Sequence, residues 1–256
     1  MIIEKHNLAP GVIAFVHPEG RSNCGMIMTS EGVVLIDTTA RLVDIQACMR
    51  LASITPAEVC LVLITHSHSD HTSGIRLFNC PVLAHKLVYE RIKKRATERA
   101  KMRMPTEYFE DRRELEVGGK VLEMIHLGGH TPGSSVGWLP HERILFAGDL
   151  IFQGRYPFLA TANVPKLMKA LKWLPSLGAK VIVPGHGVLC DNDEVEKQRN
   201  YIERTWERTA DHIQKGHDLK EMLADVNYPR YSELGYEKLH PWNIKVIYQQ
   251  LMKNAQ

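Results

Sequence analysis

The sequence predicts an α+β fold in which two β-sheets are covered by outer helices. Short apolar runs rich in branched residues and separated by glycines occur in two stretches of the chain, and they are typical of strands. Apolar residues at helical spacing follow within each stretch, and the pattern from Asp193 onward is helical. The 256 residues are 44% hydrophobic and 24% charged, which suits one large domain with a substantial core. We therefore expect a single domain over residues 1–256, with a helical C-terminal extension at about 193–256.

The first stretch begins with three apolar runs that predict a meander of antiparallel strands, because glycines punctuate them. An amphipathic helix follows, in which Leu42, Ile45 and Met49 share one face, and it should end before Pro56. The predicted strands are Val12–Val16, Met26–Thr29, Val33–Ile36, Val59–Ile64 and Pro81–Ala84, with a short helix near Ser73–Phe78.

The second stretch returns to strand character and then becomes helical. Pro165 suits the first turn of a helix over Val164–Leu177, and Gly178 suits its end. Breaks in the helical tail are expected near Gly216 and Pro229, and Pro241 should precede a last helix. The predicted strands are Leu122–Leu127, Ser134–Trp138, Arg143–Phe146 and Lys180–Val183.

Residues 86–103 are the most basic segment, with eight Lys or Arg against two Glu. This composition predicts either the solvent-exposed face of a helix or a mobile lid. The alternative is a basic surface patch that attracts an anionic substrate or RNA towards the site. The net charge of +3 is too small to indicate a nucleic-acid partner by itself.

Composition limits the cellular setting. Five cysteines, with no C-x-x-C pair, argue against a disulfide framework and favour a reducing compartment. No apolar h-region is present at the N-terminus, and no apolar run approaches the roughly 20 residues that span a bilayer. We expect a cytoplasmic protein without membrane attachment.

The predicted strand Val59–Ile64 ends in a cluster of histidines and an aspartate. Because a strand projects alternate side chains to one side, His66 and His68 should point at one place. Asp70 and His71 follow where the chain turns towards a helix, so they can face a second place nearby. Imidazole nitrogens and carboxylate oxygens are suitable ligands for zinc and similar ions.

Three later turns, each containing glycine, add ligands of the same kind. Glycine lets the backbone approach a ligand closely. Together with the first cluster they supply five histidines and two aspartates, enough for two sites of four ligands if one carboxylate bridges. The other eight histidines have no such context, and we expect structural or surface roles for them. The three turns are Gly129-His130-Thr131-Pro132-Gly133, Ala147-Gly148-Asp149 and Pro184-Gly185-His186-Gly187.

From about residue 10 to 190 this set resembles the metallo-β-lactamase superfamily. The resemblance implies a four-layer αββα sandwich with two metal ions at the edge between the sheets. It also implies that Asp37, which ends a strand, supports the metal loop from outside the ligand set. The implied ligands are His66, His68 and His130 for the first metal, Asp70, His71 and His186 for the second, and Asp149 as the bridge.

The resemblance implies a hydrolase with two divalent ions, for which we expect zinc and keep iron and manganese as alternatives. A bridging hydroxide would attack the substrate, and Asp70 could orient it or move its proton. Asp149 stands where the best-known zinc β-lactamases have a cysteine, serine or other non-bridging residue. This departure favours the wider hydrolase group, and residues 65–74 are close to the glyoxalase II pattern.

The expected substrate is a small ester, thioester, lactone or amide, and an anionic substrate is one alternative. The sequence does not decide whether the protein forms a homo-oligomer. Arg155, Tyr156 and Phe158 follow the bridging ligand, so they are candidates for the substrate pocket. Two alternatives remain: an oxidoreductase with one iron, like the persulfide dioxygenases, and a nuclease that processes RNA or another phosphodiester.

Overall fold

The computed structural model describes residues 3–17, 20–95, 104–231 and 237–254. Its first sheet has seven strands, which lie side by side in chain order. The first four pair antiparallel as a meander, and the last four pair parallel because helices connect them. The strands are β1 (Glu4–Ala9), β2 (Val12–Val16), β3 (Cys24–Thr29), β4 (Gly32–Ile36), β5 (Val59–Ile64), β6 (Val82–His85) and β7 (Glu107–Phe109).

The second sheet has five strands in the order β12-β11-β10-β9-β8. All neighbours pair antiparallel except β11 and β12, which run parallel. The strands are β8 (Arg112–Val117), β9 (Lys120–His126), β10 (Ser135–Leu139), β11 (Ile144–Phe152) and β12 (Val181–His186).

Helices cover the outer face of each sheet. The cluster on the outer face of the first sheet includes Ile45 and Met49 of α1 and Val88 and Ile92 of α3. The cluster on the outer face of the second sheet includes side chains of α4, α5 and α7. The helices are α1 (Leu42–Ala52), α2 (Ser69–Thr72), α3 (Lys86–Arg95), α4 (Val164–Trp173), α5 (Asn192–Gln214), α6 (Leu219–Ala224) and α7 (Leu239–Asn254).

The inner core lies between the two sheets. Ile36 and Leu63 of the first sheet pack with Met124, Phe146 and Val183 of the second in one buried cluster. Helices, sheet, sheet and helices therefore form four layers, and the predicted αββα sandwich is confirmed.

The sequence patterns missed β1, β7 and β8. β1, β7 and β8 lie at sheet edges, where few alternating positions are buried and charged residues are common. The sequence also predicts a turn at Asp149. Instead, strand β11 continues past Asp149, and its pairing register with β12 shifts around Gly148. Pro241 lies in the first turn of α7 rather than before it, where its missing N–H is tolerated.

The C-terminal helices pack on the same layers as the rest of the chain. Tyr201 and Ile202 of α5 and Ile247 of α7 belong to the apolar cluster that includes Leu167 and Leu171 of α4. The division into one domain and a helical extension stays a prediction. No helix among the described residues is long and apolar enough to cross a membrane.

Only part of the basic segment is described. Lys86 pairs with Glu110, and Lys93 lies over the ring of Tyr89. The rest of the 86–103 segment, from residue 96, lies outside the described residues, so its predicted role stays a prediction.

Candidate metal centre

The predicted ligands meet at one edge of the sandwich, where the two sheets end side by side. His66 and His68 follow β5 of the first sheet, and Asp70 and His71 lie on the short helix α2. His130 lies in the loop between β9 and β10 of the second sheet. The remaining two predicted ligands are in the second sheet, Asp149 within β11 and His186 at the end of β12.

The first group consists of His66, His68, His130 and Asp149, which offer one ligand atom each, all within 4.8 Å of one another. His130 Nε2 lies 3.0 Å from His68 Nδ1 and 3.3 Å from Asp149 Oδ2. His66 Nε2 lies 3.5 Å from the same Asp149 oxygen. Three imidazoles and a carboxylate converging in this way form a donor set that suits a tetrahedral metal ion.

The second group consists of Asp70, His71, Asp149 and His186, again within 4.8 Å of one another. His71 Nε2 lies 3.0 Å and His186 Nε2 lies 3.4 Å from Asp149 Oδ1. His186 Nε2 is also 3.3 Å from Asp70 Oδ2. This set is equally suited to a metal ion of the same kind.

The two oxygens of Asp149 divide the histidines between the groups. Oδ2 faces His66 and His130, whereas Oδ1 faces His71 and His186. A carboxylate with one oxygen in each group has the arrangement that a bridge between two ions needs.

Unsatisfied buried atoms show that the donor set fits metal ions. His66 Nε2, His71 Nε2 and Asp149 Oδ1 are buried and form no hydrogen bond of suitable geometry, although His71 Nε2 and Asp149 Oδ1 lie only 3.0 Å apart. An unpaired buried polar group costs about 1–3 kcal/mol, so several of them aimed at one space indicate a missing partner. Metal ions would satisfy all three at once.

Asp37 holds one predicted ligand of each group in place, on the side away from the space that the donor atoms face. Its Oδ2 lies 2.8 Å from His71 Nδ1 and accepts a hydrogen bond of 2.7 Å from the Thr65 hydroxyl. Its Oδ1 accepts from the Thr65 backbone N–H at 2.9 Å, and Thr65 Oγ1 lies 3.1 Å from His66 Nδ1. Asp37 is buried and has a φ of 59°, a strained backbone conformation that such a hydrogen-bond network can hold in place.

The other three histidines are also held by their outward nitrogens. His130 Nδ1 contacts the Phe158 carbonyl at 3.1 Å, and His186 Nδ1 contacts the Gly20 carbonyl at 3.0 Å. His68 is turned the other way, because its Nε2 lies 3.2 Å from Thr161 Oγ1 while its Nδ1 faces the group. Such contacts fix which ring nitrogen carries the proton and leave the other free for a metal.

Glycine is required at Gly185 for the Asp149 carboxylate to fit. A Cβ at that position would lie 2.0 Å from Asp149 Oδ1 and 2.7 Å from the backbone of Gly148. The glycine in the predicted Pro184-Gly185-His186 turn therefore allows β12 to pass close beside Asp149.

The ionisation of the site without metal follows from burial and from the carboxylates. Burial lowers the pKa of His68 to about 4 and holds that of His130 well below its ordinary value. Burial also disfavours charge on His186, but Asp149 and Asp70 outweigh it and raise its pKa to about 9. Burial opposes ionisation of Asp149, yet His186 and His71 keep its pKa well below the ordinary value. Without metal, His68 and His130 are therefore neutral near pH 7, whereas His186 carries a proton.

A cavity of about 340 Å³ opens over both groups, at the two predicted ligands that are partly exposed, His68 and Asp70. Arg155 and Phe158, two of the predicted pocket residues, line it together with Phe152 and Leu239. The third predicted pocket residue lies elsewhere. Tyr156 is 1% exposed and packs against the rings of Tyr201, Tyr231 and His240 in the helical core.

Sequence reasoning missed Thr161, Phe152 and Leu239. Phe152 stacks on the His186 ring at 5.3 Å, and its place three residues after Asp149 was the available signal. Thr161 and Leu239 carry no motif, and only the fold brings them to the site.

Comparison with known proteins agrees with this geometry. The family model of the metallo-beta-lactamase superfamily matches residues 17–186. The beta-lactamase-like protein 2 homolog of Caenorhabditis elegans is 29% identical over 91% of this chain and 79% of its own length. A metallo-beta-lactamase type 2 of Pseudomonas aeruginosa is 30% identical over 80% of this chain and 83% of its own length. The hydroxyacylglutathione hydrolase GloC of Haemophilus influenzae is 28% identical over 50% of this chain and 68% of its own length.

Among solved structures, the metallo-beta-lactamase from Pontibacter korlensis has the same fold. Its TM-score is 0.70 at 23% identity, and the alignment covers 79% of this chain and 99% of the other.

Proposed function

Because the chain belongs to the metallo-beta-lactamase superfamily, whose relatives here are metal-dependent hydrolases, we propose that it is a dinuclear zinc hydrolase. The observation that carries the proposal is the division of the Asp149 oxygens between two complete sets of donor atoms. A single-metal enzyme would need only one of these sets. The proposed ligands are His66, His68, His130, Asp149, Asp70, His71 and His186.

Bound zinc lowers the pKa of water to about 7 and polarises the oxygen that the substrate presents. The residues of the chain hold and orient the reactants. Asp70 is partly exposed at the cavity, where one carboxylate oxygen can accept a proton from the attacking water or orient it. Asp37 contacts His71 Nδ1 directly and His66 Nδ1 through Thr65, and so would fix the tautomer in which each Nε2 faces the proposed metal.

We propose that the substrate is a small ester, thioester, lactone or amide. A cavity of about 340 Å³ admits a small molecule, and the rings of Phe152 and Phe158 give it an apolar wall. Arg155 lies at the same wall, where its guanidinium stands 5.9 Å from the Phe152 ring centre and donates to the Gly20 carbonyl. Similarity to a hydroxyacylglutathione hydrolase favours a thioester among these substrates.

The test is metal analysis together with a substrate panel on one purified sample. We expect two zinc ions per chain and hydrolysis of a thioester or lactone, measured against bis-p-nitrophenyl phosphate and a β-lactam. One iron per chain with oxygen consumption on a persulfide would overturn the proposal in favour of a dioxygenase. Turnover of the phosphodiester alone would overturn it in favour of a nuclease.

A further inference from the structure

A second cavity, of about 490 Å³, lies beside the metal centre, and Thr161 is part of its wall. It is bounded by the His130 loop, the first turn of α4 and the last turn of α7. The Thr161 hydroxyl donates to the His130 carbonyl at 3.1 Å and lies 3.2 Å from His68 Nε2. An occupant of this cavity can therefore contact Thr161, which itself contacts a proposed metal ligand.

The charge at this cavity is positive. Lys166 and Lys253 are the charged residues among the described ones that line it, and no acidic side chain is among them. In the described part of the chain neither ammonium has an ion pair or a hydrogen bond. Two positive charges at one cavity create a field that attracts an anion.

The fold leaves room for the Lys166 ammonium at the cavity. A Cβ at Gly128 would lie 2.7 Å from Lys166 Nζ, so the absence of a side chain there makes space for the charge. Burial lowers the pKa of the neighbouring His126, and the Lys166 charge lowers it further. That histidine therefore stays neutral and adds no charge beside the lysine.

The rest of the wall is suited to a short apolar group. Leu87, Pro132, Ala162 and Pro165 line it, and Leu87 is 38% exposed although it is a large apolar side chain. A concave site with apolar walls and a few polar groups that fix orientation is the usual form of a small-molecule site.

We propose that this cavity binds a small organic anion, a carboxylate or phosphate ester with a short apolar part, and that Thr161 transmits its binding to His68. The anion lies between the two lysines and its apolar part lies against Leu87 and Pro132. Displacement of Thr161 alters the hydrogen bond that fixes the His68 ring. Binding itself is independent of the proposed function, and only the effect on turnover rests on it.

The test is calorimetric titration of the zinc-loaded protein with butyrate, with its neutral isostere butyramide and with inorganic phosphate. We expect butyrate and phosphate to bind and butyramide to bind at least about tenfold more weakly, since it lacks the charge. Lys166→Met and Lys253→Met should each weaken butyrate binding about tenfold. The control is Lys169→Met, a change of an exposed α4 lysine that does not line the cavity and should have no effect.

Anions can also bind zinc directly, and the lysine variants separate the two sources. Binding that is unchanged in both Lys166→Met and Lys253→Met, or equal for butyrate and butyramide, would overturn the proposal. With a hydrolysed substrate in hand, butyrate should change kcat and leave KM unchanged, whereas a rise in KM alone would place it at the metal centre and overturn the coupling. If no substrate is hydrolysed, the proposed function fails and the calorimetry still decides the binding site.

Discussion

Replacing Asp37 by Asn tests whether the metal centre depends on a carboxylate that touches no metal. Asn tolerates a positive φ, and at 59° the backbone of residue 37 needs that tolerance. The amide cannot replace both oxygens, because Oδ1 accepts from Thr65 N–H and Oδ2 contacts His71 Nδ1 and the Thr65 hydroxyl. If its oxygen faces Thr65 N–H, its NH₂ donates to His71 Nδ1 and forces the proton onto Nε2.

The size of the effect follows from that change of tautomer. A proton on His71 Nε2 blocks the nitrogen that lies 3.0 Å from Asp149 Oδ1 in the second group. Loss of such an orienting hydrogen bond typically weakens metal binding by about 10–100-fold, or about 1.4–2.7 kcal/mol. We expect this loss in the second group, whereas His66 of the first group is affected only through Thr65.

The assay is zinc competition against a chromophoric chelator, which gives both affinities and the number of ions bound. The control is Asp225→Asn, which removes a carboxylate that lies 2.8 Å from His212 Nε2 and far along the chain from the ligands. That variant should lower the free energy of unfolding and leave zinc affinity unchanged. Two unchanged zinc affinities in Asp37→Asn would refute the reasoning.

Three further predictions concern the predicted ligands and the glycine beside Asp149. His68→Ala should remove one metal and nearly all hydrolysis, while circular dichroism shows that the protein remains folded. The control His141→Ala, at an exposed histidine, should leave both metal content and hydrolysis unchanged. Full activity in His68→Ala would exclude His68 as a ligand. Gly185→Ala should weaken both zinc affinities, because its Cβ would meet Asp149 Oδ1 at 2.0 Å; two ions bound as in the wild type would contradict this. Zinc binding near pH 7 should release protons and tighten as pH rises towards 9, because His186 with a pKa of about 9 is protonated in the metal-free protein and must become neutral to bind. Calorimetry in buffers of different ionisation enthalpy measures the number of protons released. A zinc affinity that does not change with pH would be evidence against the prediction.

The parts of the fold and site that follow from local pattern were predictable. His66 and His68 are two residues apart just after a strand, so their side chains are expected on the same side of the chain. Asp70 and His71 lie in the first helical turn that follows, so their side chains are expected to face a second place. The strands with buried faces on both sides, such as β5, also have an unmistakable apolar pattern.

The parts that depend on distant segments were not predictable. Thr161 contacts a histidine 93 positions earlier, and nothing near it in sequence indicates this. Tyr156 follows Arg155 directly, yet the chain turns its ring into the helical core, since the helices α5 and α7 supply an aromatic environment there. β8 escaped detection because an edge strand buries too little to show alternation.

The candidate metal centre draws each of its two groups from both sheets. Four predicted ligands follow β5 of the first sheet, and the other three lie within or between strands of the second sheet; the four are His66, His68, Asp70 and His71. Backbone hydrogen bonds also cross at this edge, from Ser135 N–H to the Thr65 carbonyl at 2.9 Å and from Asn23 N–H to the Gly185 carbonyl at 2.8 Å. Each ion would therefore add a further connection between two sheets that already meet through side chains and these backbone hydrogen bonds. A substitution deep in the inner core that shifts one sheet relative to the other would then change the positions of the atoms that bind metal. Such a substitution would affect the reaction although the substituted residue lies far from any substrate.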